Sequence, residues 1–190
     1  MNNKKIINIF KSTGALLKGH FVLSSGLHSD TYFQCAKVLQ FPEYLQLFAK
    51  IICAEFADNR PDLVISPAIG GIVIGTEVGR QFGVRTVFSE RKQKKMVIRR
   101  GFEILPQDKV LIVEDVITTG GSVNEVIRTL NETECKIIGL AVLVDRSNGK
   151  IKLHPNQYSI ASIDSLSYQE LDLPKELARI PIQKPGSRFS

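Results

Sequence analysis

A short segment after the predicted strand at residues 109–113 combines two adjacent acids with small hydroxyl and glycine residues. Glu114 and Asp115 directly follow the apolar run, and the chain continues Val116-Ile117-Thr118-Thr119-Gly120-Gly121-Ser122 into a predicted helix. Ligands of open α/β sheets lie beyond the carboxyl ends of the strands. Glycines let the backbone approach a ligand closely, and the N–H groups at a helix start suit a phosphate. The segment therefore predicts a phosphate site, although it contains neither a Walker loop nor a GxGxxG fingerprint.

The acidic pair indicates a ligand that carries hydroxyl groups as well as a phosphate. A carboxylate beside a phosphate repels it unless the carboxylate serves another group, and vicinal ribose hydroxyls donate well to carboxylates. Glu114 and Asp115 are therefore predicted to hold a ribose whose 5'-phosphate lies on residues 118–122. The alternative is a pair of solvated acids near a helix N-terminus, where the helix dipole favours them. The complete Thr-Thr-Gly-Gly-Ser loop argues against that alternative.

Most of the chain's net charge lies in one segment. Residues 90–100 hold six basic groups and one acidic group, a net charge of +5, whereas the whole chain carries +6. This distribution indicates one anion site more than a generally basic surface. The alternatives are a solvated charged hairpin and a patch that binds nucleic acid.

Two other positions suit a ligand at the same edge of a sheet. Arg146 follows the apolar strand predicted at residues 137–144, and arginine binds planar carboxylates with two parallel hydrogen bonds. Standing alone, it would be an ordinary surface arginine. Ser66-Pro67-Ala68-Ile69-Gly70-Gly71 is predicted to turn from a strand into a helix.

The elements that must position these residues alternate along the chain. Short apolar runs alternating with helical patterns predict an α/β fold with a parallel sheet that helices cover on both faces. Residues 20–35 predict two short strands around a Ser-Ser-Gly turn, and residues 174–190, with three prolines, predict an irregular tail. The remaining predicted strands are 63–65, 84–88, 109–113 and 137–144, and the predicted helices are 4–17, 42–57, 72–82 and 121–130.

Length and composition limit the size, location and cysteine chemistry that the protein can have. The chain has 190 residues, of which 43% are hydrophobic, which predicts one ordinary domain with a sizeable core. No apolar run reaches the ~18–20 residues that span a bilayer, and the N-terminus lacks a signal-peptide pattern, so a cytoplasmic location is expected. Cys35, Cys53 and Cys135 are odd in number and form no CxxC pair, which favours buried thiols over metal ligands.

Several segments resemble one enzyme family. Residues 114–122 resemble the signature loop of type I phosphoribosyltransferases, which bind 5-phosphoribosyl 1-pyrophosphate. Residues 21–26 and 28–33, Phe-Val-Leu-Ser-Ser-Gly and His-Ser-Asp-Thr-Tyr-Phe, resemble the orotate-binding segment of orotate phosphoribosyltransferases. Val144-Asp145-Arg146 resembles the strand end whose arginine pairs with orotate. Residues 184–188, Lys-Pro-Gly-Ser-Arg, resemble tails in one bacterial branch, so the resemblance spans residues 14–188.

The resemblance implies an enzyme that makes orotidine 5'-monophosphate for pyrimidine biosynthesis. It implies a single domain, with a small hood formed by residues 1–40 and the C-terminal tail. Thr118 and Arg146 would bind orotate, and Arg91, Lys92 and Lys95 would bind the pyrophosphate. Lys95 and Asp115 would be catalytic, and residues 114–122 would bind the donor. The turn at residues 66–71 would be a second pyrophosphate loop, often with a non-proline cis peptide.

The resemblance also implies partners and a cofactor. Mg²⁺ would bridge pyrophosphate and ribose oxygens, with no dedicated protein metal site. The enzyme is expected to be a homodimer in which the loop at residues 90–100 reaches the neighbouring subunit's site. Neither nucleic acid nor a membrane is an expected partner.

Three positions depart from the family pattern. Val97 stands where many relatives have a loop histidine, Ser24 where some have a ligand-binding lysine, and Leu173-Pro174-Lys175-Glu176 where many of the matching branch have a CxxC pair. Two other functions stay open at this point. One is a purine phosphoribosyltransferase, which would not need Arg146, and the other is a non-catalytic regulator that binds RNA through the basic segment.

Overall fold

The strands of the chain form two sheets. The computed structural model describes residues 3–23, 25–93, 95–163, 165–183 and 185. Within them the larger sheet has the order β5-β4-β3-β6-β7-β8, and the smaller has the order β10-β1-β2-β9. The strands are β1 Leu16–Val22, β2 His28–Phe33, β3 Leu63–Pro67, β4 Arg85–Lys92, β5 Lys95–Ile98, β6 Lys109–Ile117, β7 Lys136–Asp145, β8 Gln157–Ser162, β9 Ser167–Tyr168 and β10 Ile182–Gln183.

Helices pack against the strands. They are α1 Asn3–Ser12, α2 Ala36–Leu39, α3 Pro42–Glu55, α4 Gly70–Phe82, α5 Gly121–Asn131 and α6 Lys175–Ala178, with 3₁₀ turns at Ala57–Asn59 and Glu170–Asp172. Strands β4, β3, β6, β7 and β8 run parallel, and β5 pairs antiparallel with β4. Helices lie on both faces of this sheet, so the predicted α/β class is confirmed.

Successive side chains of β6 point alternately into two core clusters, one on each face of the larger sheet. Leu111 and Val113 belong to a cluster with helices α1, α3 and α4, whereas Val110 and Ile112 belong to a cluster with α5. Successive side chains of a strand point to opposite faces, so a strand covered on both sides is apolar at every position. Each of these four side chains is fully buried. The continuous apolar run before the acids is therefore a consequence of the central place of β6.

The α1 region differs from its prediction. The helix ends at Ser12, Gly14 has a φ of 66°, and β1 begins at Leu16, so Leu16 and Gly19 belong to a strand. Ala15 is fully buried at the crossing between the two elements. The apolar pattern of residues 4–17 thus combines one helix face with the start of a strand.

The C-terminal segment also differs from the irregular tail that its prolines predict. Leu177 of α6 is buried, and β10 pairs parallel with β1, with Ile182 opposite His20. The ring Nδ1 of His20 lies 2.9 Å from the carbonyl oxygen of Ile180. The smaller sheet thus joins the N-terminal strands to the C-terminal segment. Lys184 and residues 186–190, which carry most of the family-like tail sequence, lie outside the described residues.

Candidate active site

A cavity of about 360 Å³ opens at the carboxyl end of β6, where the chain enters α5. Residues 116–122 form one side of it, and Glu114 and Arg91 also face it. The remaining lining residues are Ser25, Val123 and Glu125. The larger sheet therefore brings most of the predicted donor-binding residues to one place.

The backbone at Gly120 shapes the entrance to α5. Gly120 has a φ of 74°, in the left-handed region that side chains disfavour, and a Cβ there would lie 2.6 Å from Cδ1 of Leu153. The N–H of Asn124 donates to the carbonyl of Gly120 at 2.9 Å and begins the helix. Within the described part of the chain, no side chain caps this helix start. The first N–H groups of α5 can therefore serve a ligand in the cavity.

The two acids lie in different surroundings although they are neighbours. Glu114 is buried, and its Oε1 accepts the backbone N–H of Asp115 at 3.1 Å. Asp115 is partly exposed, and its carboxylate packs against the Cα of Gly70, so closely that a Cβ there would overlap it. Both acids continue β6, which runs to Ile117 instead of ending at Val113 as predicted.

A buried cysteine lies beneath the acids. The Sγ of Cys35 lies 3.9 Å from the carbonyl oxygen of Asp115. Burial raises the pKa of the Cys35 thiol well above its usual value, and the charges of Asp115 and Glu114 raise this pKa further. Cys35 is therefore a protonated thiol in the core and does not act as a nucleophile.

The turn after β3 lies next to the acidic pair. A Cβ on Gly71 would lie 3.0 Å from the carbonyl oxygen of Val113 and 3.2 Å from Oε1 of Glu114. The peptide bond between Ala68 and Ile69 is cis, a feature that the family resemblance of this turn allowed but did not require. The side chain of Ile69 is 78% exposed, so it does not contribute to the core.

The basic segment forms the hairpin of β4 and β5. Arg91 donates to Glu125 of α5 through Nη2 at 3.0 Å and Nη1 at 3.3 Å. Lys92 and Lys95 face each other across the hairpin, are exposed, and do not line the cavity. Lys94 lies outside the described residues. Of the three predicted pyrophosphate ligands, only Arg91 is thus among the described lining residues.

Arg146 lies buried between the two sheets. Its backbone N–H donates to the carbonyl of Ile117 at 2.9 Å, which places it beside Thr118. Its Nη2 donates to Ser29 Oγ at 2.9 Å, Thr31 O at 3.0 Å and Ser165 Oγ at 2.7 Å. Nε is also buried, and no described residue accepts its hydrogen. Burial lowers the pKa of Arg146, and the charges of Asp30 and Tyr32 partly offset this lowering. The guanidinium nevertheless stays cationic, as arginine does in proteins.

The sequence did not indicate several residues of this site. Glu125 is one helical turn beyond Gly121, a spacing that places both on the same side of α5. This helical spacing from Gly121 is the sequence signal that could have identified Glu125 as a residue of the site. Ser165 carried no local signal, because it meets Arg146 only through the pairing of β9 with β2.

Comparison with known proteins agrees with this geometry. The phosphoribosyl transferase domain family matches residues 36–172. An orotate phosphoribosyltransferase of Chlorobium phaeobacteroides (strain DSM 266) is 56% identical over 188 residues, which are 99% of this chain and 97% of the relative. This chain belongs to the orotate phosphoribosyltransferase family.

Solved structures support the assignment of the fold. The crystal structure of orotate phosphoribosyltransferase from Aeropyrum pernix has a TM-score of 0.67 and 26% identity, covering 83% of this chain and 93% of its own. Adenine phosphoribosyltransferase from Rhodothermus marinus has a TM-score of 0.66 at 19% identity, covering 85% and 100%. Because an adenine enzyme matches equally well, the fold alone does not separate orotate from purine phosphoribosyltransferases. The 56% sequence identity to an orotate phosphoribosyltransferase distinguishes between these two families.

Proposed function

We propose that this protein transfers the ribose 5-phosphate unit of 5-phosphoribosyl 1-pyrophosphate to a ring nitrogen of orotate, in de novo pyrimidine synthesis. The products are orotidine 5'-monophosphate and pyrophosphate. The observation that carries the proposal is the cavity in which residues 116–122, Glu114 and Arg91 meet, one strand away from the buried Arg146. Within an orotate phosphoribosyltransferase sequence, this arrangement offers sites for a phosphate, a ribose and a planar carboxylate.

The donor's 5'-phosphate would lie on the start of α5. The N–H groups there and the hydroxyls of Thr118, Thr119 and Ser122 are suitable donors, and the helix dipole favours an anion. Glu114 and Asp115 would accept hydrogen bonds from the ribose hydroxyls. Asp115, the more exposed of the two, would contact the reacting ribose. Of the two acidic residues, Asp115 is the one proposed to be catalytic.

Basic residues would stabilise the leaving pyrophosphate. The bond from the anomeric carbon to pyrophosphate breaks with its electron pair on the leaving oxygen. The new bond forms from the electron pair of the ring nitrogen, whose proton leaves. Arg91, Lys92 and Lys95 would place positive charge where negative charge develops, which lowers the barrier. Lys95 is the proposed catalytic member, and closure of the hairpin over the neighbouring subunit's site would exclude water.

Orotate would bind between the two sheets, at Arg146 and Thr118. The Nε of Arg146 is buried without an acceptor among the described residues, whereas Nη2 already donates to three oxygens. A buried donor without a partner is costly, so an incoming carboxylate would gain its full hydrogen bond. The positive charge of the guanidinium favours the carboxylate of orotate over an uncharged purine.

The residues present fit a Mg²⁺ ion that arrives with the donor. Glu114 lines the cavity and Asp115 is its neighbour in the chain, and the described residues contain no cluster of three His, Cys, Asp or Glu that would form a dedicated metal site. Mg²⁺ takes most of its ligands from phosphates and water in such sites. When bound, the ion would neutralise pyrophosphate charge, with Glu114 and Asp115 nearby holding the ribose.

The remaining assignments concern the whole protein. We propose a homodimer in which the hairpin reaches the neighbouring site, and a cytoplasmic location. Among the described residues, no helix combines the length and apolar character that crossing a membrane requires. The basic hairpin charges are partly paired with Glu125 and Glu90, which favours a role within the site over RNA binding.

The proposed activity can be tested by following orotate absorbance after mixing protein, orotate, 5-phosphoribosyl 1-pyrophosphate and Mg²⁺. We expect orotate to disappear only when donor and metal are both present. Turnover of a purine base instead would overturn the substrate assignment. Absence of turnover with every base, together with RNA affinity that falls steeply with salt, would favour the regulator.

A further inference from the structure

Glu125 holds the hairpin through both of its carboxylate oxygens. Oε1 accepts from Nη2 of Arg91 at 3.0 Å, and Oε2 accepts from Nη1 at 3.3 Å and from the backbone N–H of Met96 at 2.9 Å. One turn later on α5, the hydroxyl of Thr129 lies 3.4 Å from the carbonyl oxygen of Met96. Both backbone polar groups of Met96 thus face the same helix, whose first turn forms the predicted phosphate site.

A carboxylate at this position needs an explanation. Glu125 lines the cavity with residues 118–122, where a phosphate is proposed to bind, and its side chain is 33% exposed. A negative charge there would repel the donor unless a cation lies between them. Arg91, which lines the same cavity, is the residue that Glu125 contacts with two hydrogen bonds.

We propose that Glu125 is a positioning residue that orients Arg91 toward the donor's pyrophosphate. A guanidinium is planar and presents its N–H donors in a fixed fork, so a carboxylate on one edge sets the direction of the others. The inference rests on the proposed function, because it assigns Arg91 to the pyrophosphate. Glu125 itself would not contact the substrate, and its effect on the pyrophosphate would pass through Arg91.

The contact with Met96 gives the same residue a second effect. The side chain of Met96 is buried in the core cluster that includes α5, so Met96 fixes one strand of the hairpin. Glu125 fixes Arg91 on the other strand at the same level, since Arg91 pairs with Met96 across the hairpin. These contacts therefore fix the Arg91–Met96 pair of the hairpin against α5, the helix whose start is proposed to bind phosphate, while Lys92 and Lys95 lie further along the hairpin.

Glu125→Gln separates the two effects. The amide oxygen of the substituted side chain can still accept the Met96 N–H, but the amide lacks the charge and the second acceptor that Arg91 uses. We expect kcat/KM for the donor to fall by about 10- to 100-fold, the usual effect of losing a hydrogen bond to a charged group. KM for orotate, which depends on Arg146, should change by less than about threefold. Glu77→Gln is the matched control, because Glu77 binds Arg80 of α4 with two 2.7 Å hydrogen bonds away from the cavity; its kinetics should equal those of the wild type.

A double-mutant cycle tests whether Glu125 acts through Arg91. In an Arg91→Ala background, Glu125→Gln should cause no further loss, because the group that it orients is absent. If turnover is too slow to follow, binding of inorganic pyrophosphate by calorimetry gives the same comparison. Additive losses in the cycle, or an unchanged kcat/KM for Glu125→Gln, would overturn the inference. A wild-type protein without orotate turnover would instead overturn the proposed function, so the two failures are distinct.

Discussion

Glycine is needed for different structural reasons at the two positions where α5 begins, Gly120 and Gly121. Gly120 is buried with a positive φ, and a Cβ would meet the side chains of Leu153 and Ile151. Gly121 is exposed, and a Cβ there would meet only Thr119 Oγ1, at 3.8 Å. The first glycine is therefore required by the fold of the loop, whereas the described structure has room for a side chain at the second, which leaves close approach of the proposed phosphate as its role.

This difference predicts separate effects of two alanine substitutions. Gly120→Ala should lower the free energy of unfolding by about 1–3 kcal/mol, because it adds φ strain and an overlap with Leu153. Gly121→Ala should change it by less than about 0.5 kcal/mol, yet still weaken donor binding. Urea unfolding measures the first quantity and calorimetry with the donor measures the second. Equal unfolding midpoints for the two variants would contradict the prediction.

The residues that the sequence revealed are those whose partners are close along the chain. Glu114 and residues 116–122 lie within one short segment, so their common place at the cavity could be predicted from strand-to-helix geometry alone. The pairing of Arg91 with Glu125 joins residues 34 apart, and that of Arg146 with Ser29 joins residues 117 apart. Such contacts depend on which strands become neighbours, and a single sequence does not encode that in any local pattern.

At the scale of elements, a row of glycines sets how closely α4 lies on the sheet. A Cβ on Gly75 would overlap Oγ of Ser66 on β3, and a Cβ on Gly79 would overlap Oγ1 of Thr86 on β4. With Gly71 at the same spacing, the helix backbone lies directly on the strands. This close packing is what places Gly70 against the Asp115 carboxylate at the site.

Gly75→Ala should therefore affect both stability and the site. We expect a loss of about 1–3 kcal/mol in the free energy of unfolding, because an added methyl group in a packed interface forces a shift. The shift of α4 should also raise KM for the donor through Gly70 and Asp115. Thr76→Ala, on the exposed side of the same helix, is the control. A stable Gly75→Ala variant with an unchanged KM would show that α4 can move without disturbing the acids.

The hairpin has a second ion-pair group at its base, and this one predicts a pH dependence. Arg100 donates to Glu90 at 2.8 Å, and Arg99 lies 3.5 Å from it. The hydrogen bond from Arg100 is the main cause that lowers the pKa of Glu90, against a smaller opposing effect of desolvation. A carboxyl group with a lowered folded-state pKa stabilises the protein above its unfolded pKa, and this contribution is lost as pH falls through the lowered value.

The test compares Glu90→Gln with the wild type in urea at neutral pH and at a pH below the lowered Glu90 pKa. The variant should be less stable at neutral pH, and the difference should disappear in acid, where the wild-type carboxyl is protonated. Glu103→Gln, an exposed substitution with the same change of charge, serves as the control. A difference that persists in acid would mean that Glu90 stabilises the hairpin by packing instead of charge.

Element boundaries were harder to predict than element types. The buried strands β3, β6 and β7 and the helices α3, α4 and α5 were predicted, because long apolar runs and helical periodicity mark them. Strand β8 was missed, since it lies at one edge of the sheet and only Ile160 and Ala161 of its residues are buried. Strands β9 and β10 are two residues each and exist only through pairing with β2 and β1, so no periodicity could reveal them.

At the scale of the whole molecule, the site lies where the two sheets meet. Arg146 follows β7 of the larger sheet and donates to Ser29 and Thr31 of β2 in the smaller one. Ser25, between β1 and β2, lines the donor cavity. The smaller sheet therefore contributes to both proposed substrate sites, although the residues proposed to bind phosphate, ribose and pyrophosphate belong to the larger sheet and to the loop that follows β6.

The proposed homodimer predicts that two inactive variants restore activity when they are mixed. Lys95→Ala should lower kcat while sparing orotate binding, and Asp115→Asn should impair use of the donor while leaving the fold intact. If Lys95 serves the neighbouring subunit, a hybrid dimer has one site with both defects and one site with neither. After co-refolding in equal amounts, half of the dimers are hybrids, so activity should recover to roughly a quarter of the wild-type value. Each variant refolded alone is the control. No recovery, in samples shown by mass spectrometry to contain hybrids, would mean that Lys95 acts within its own subunit.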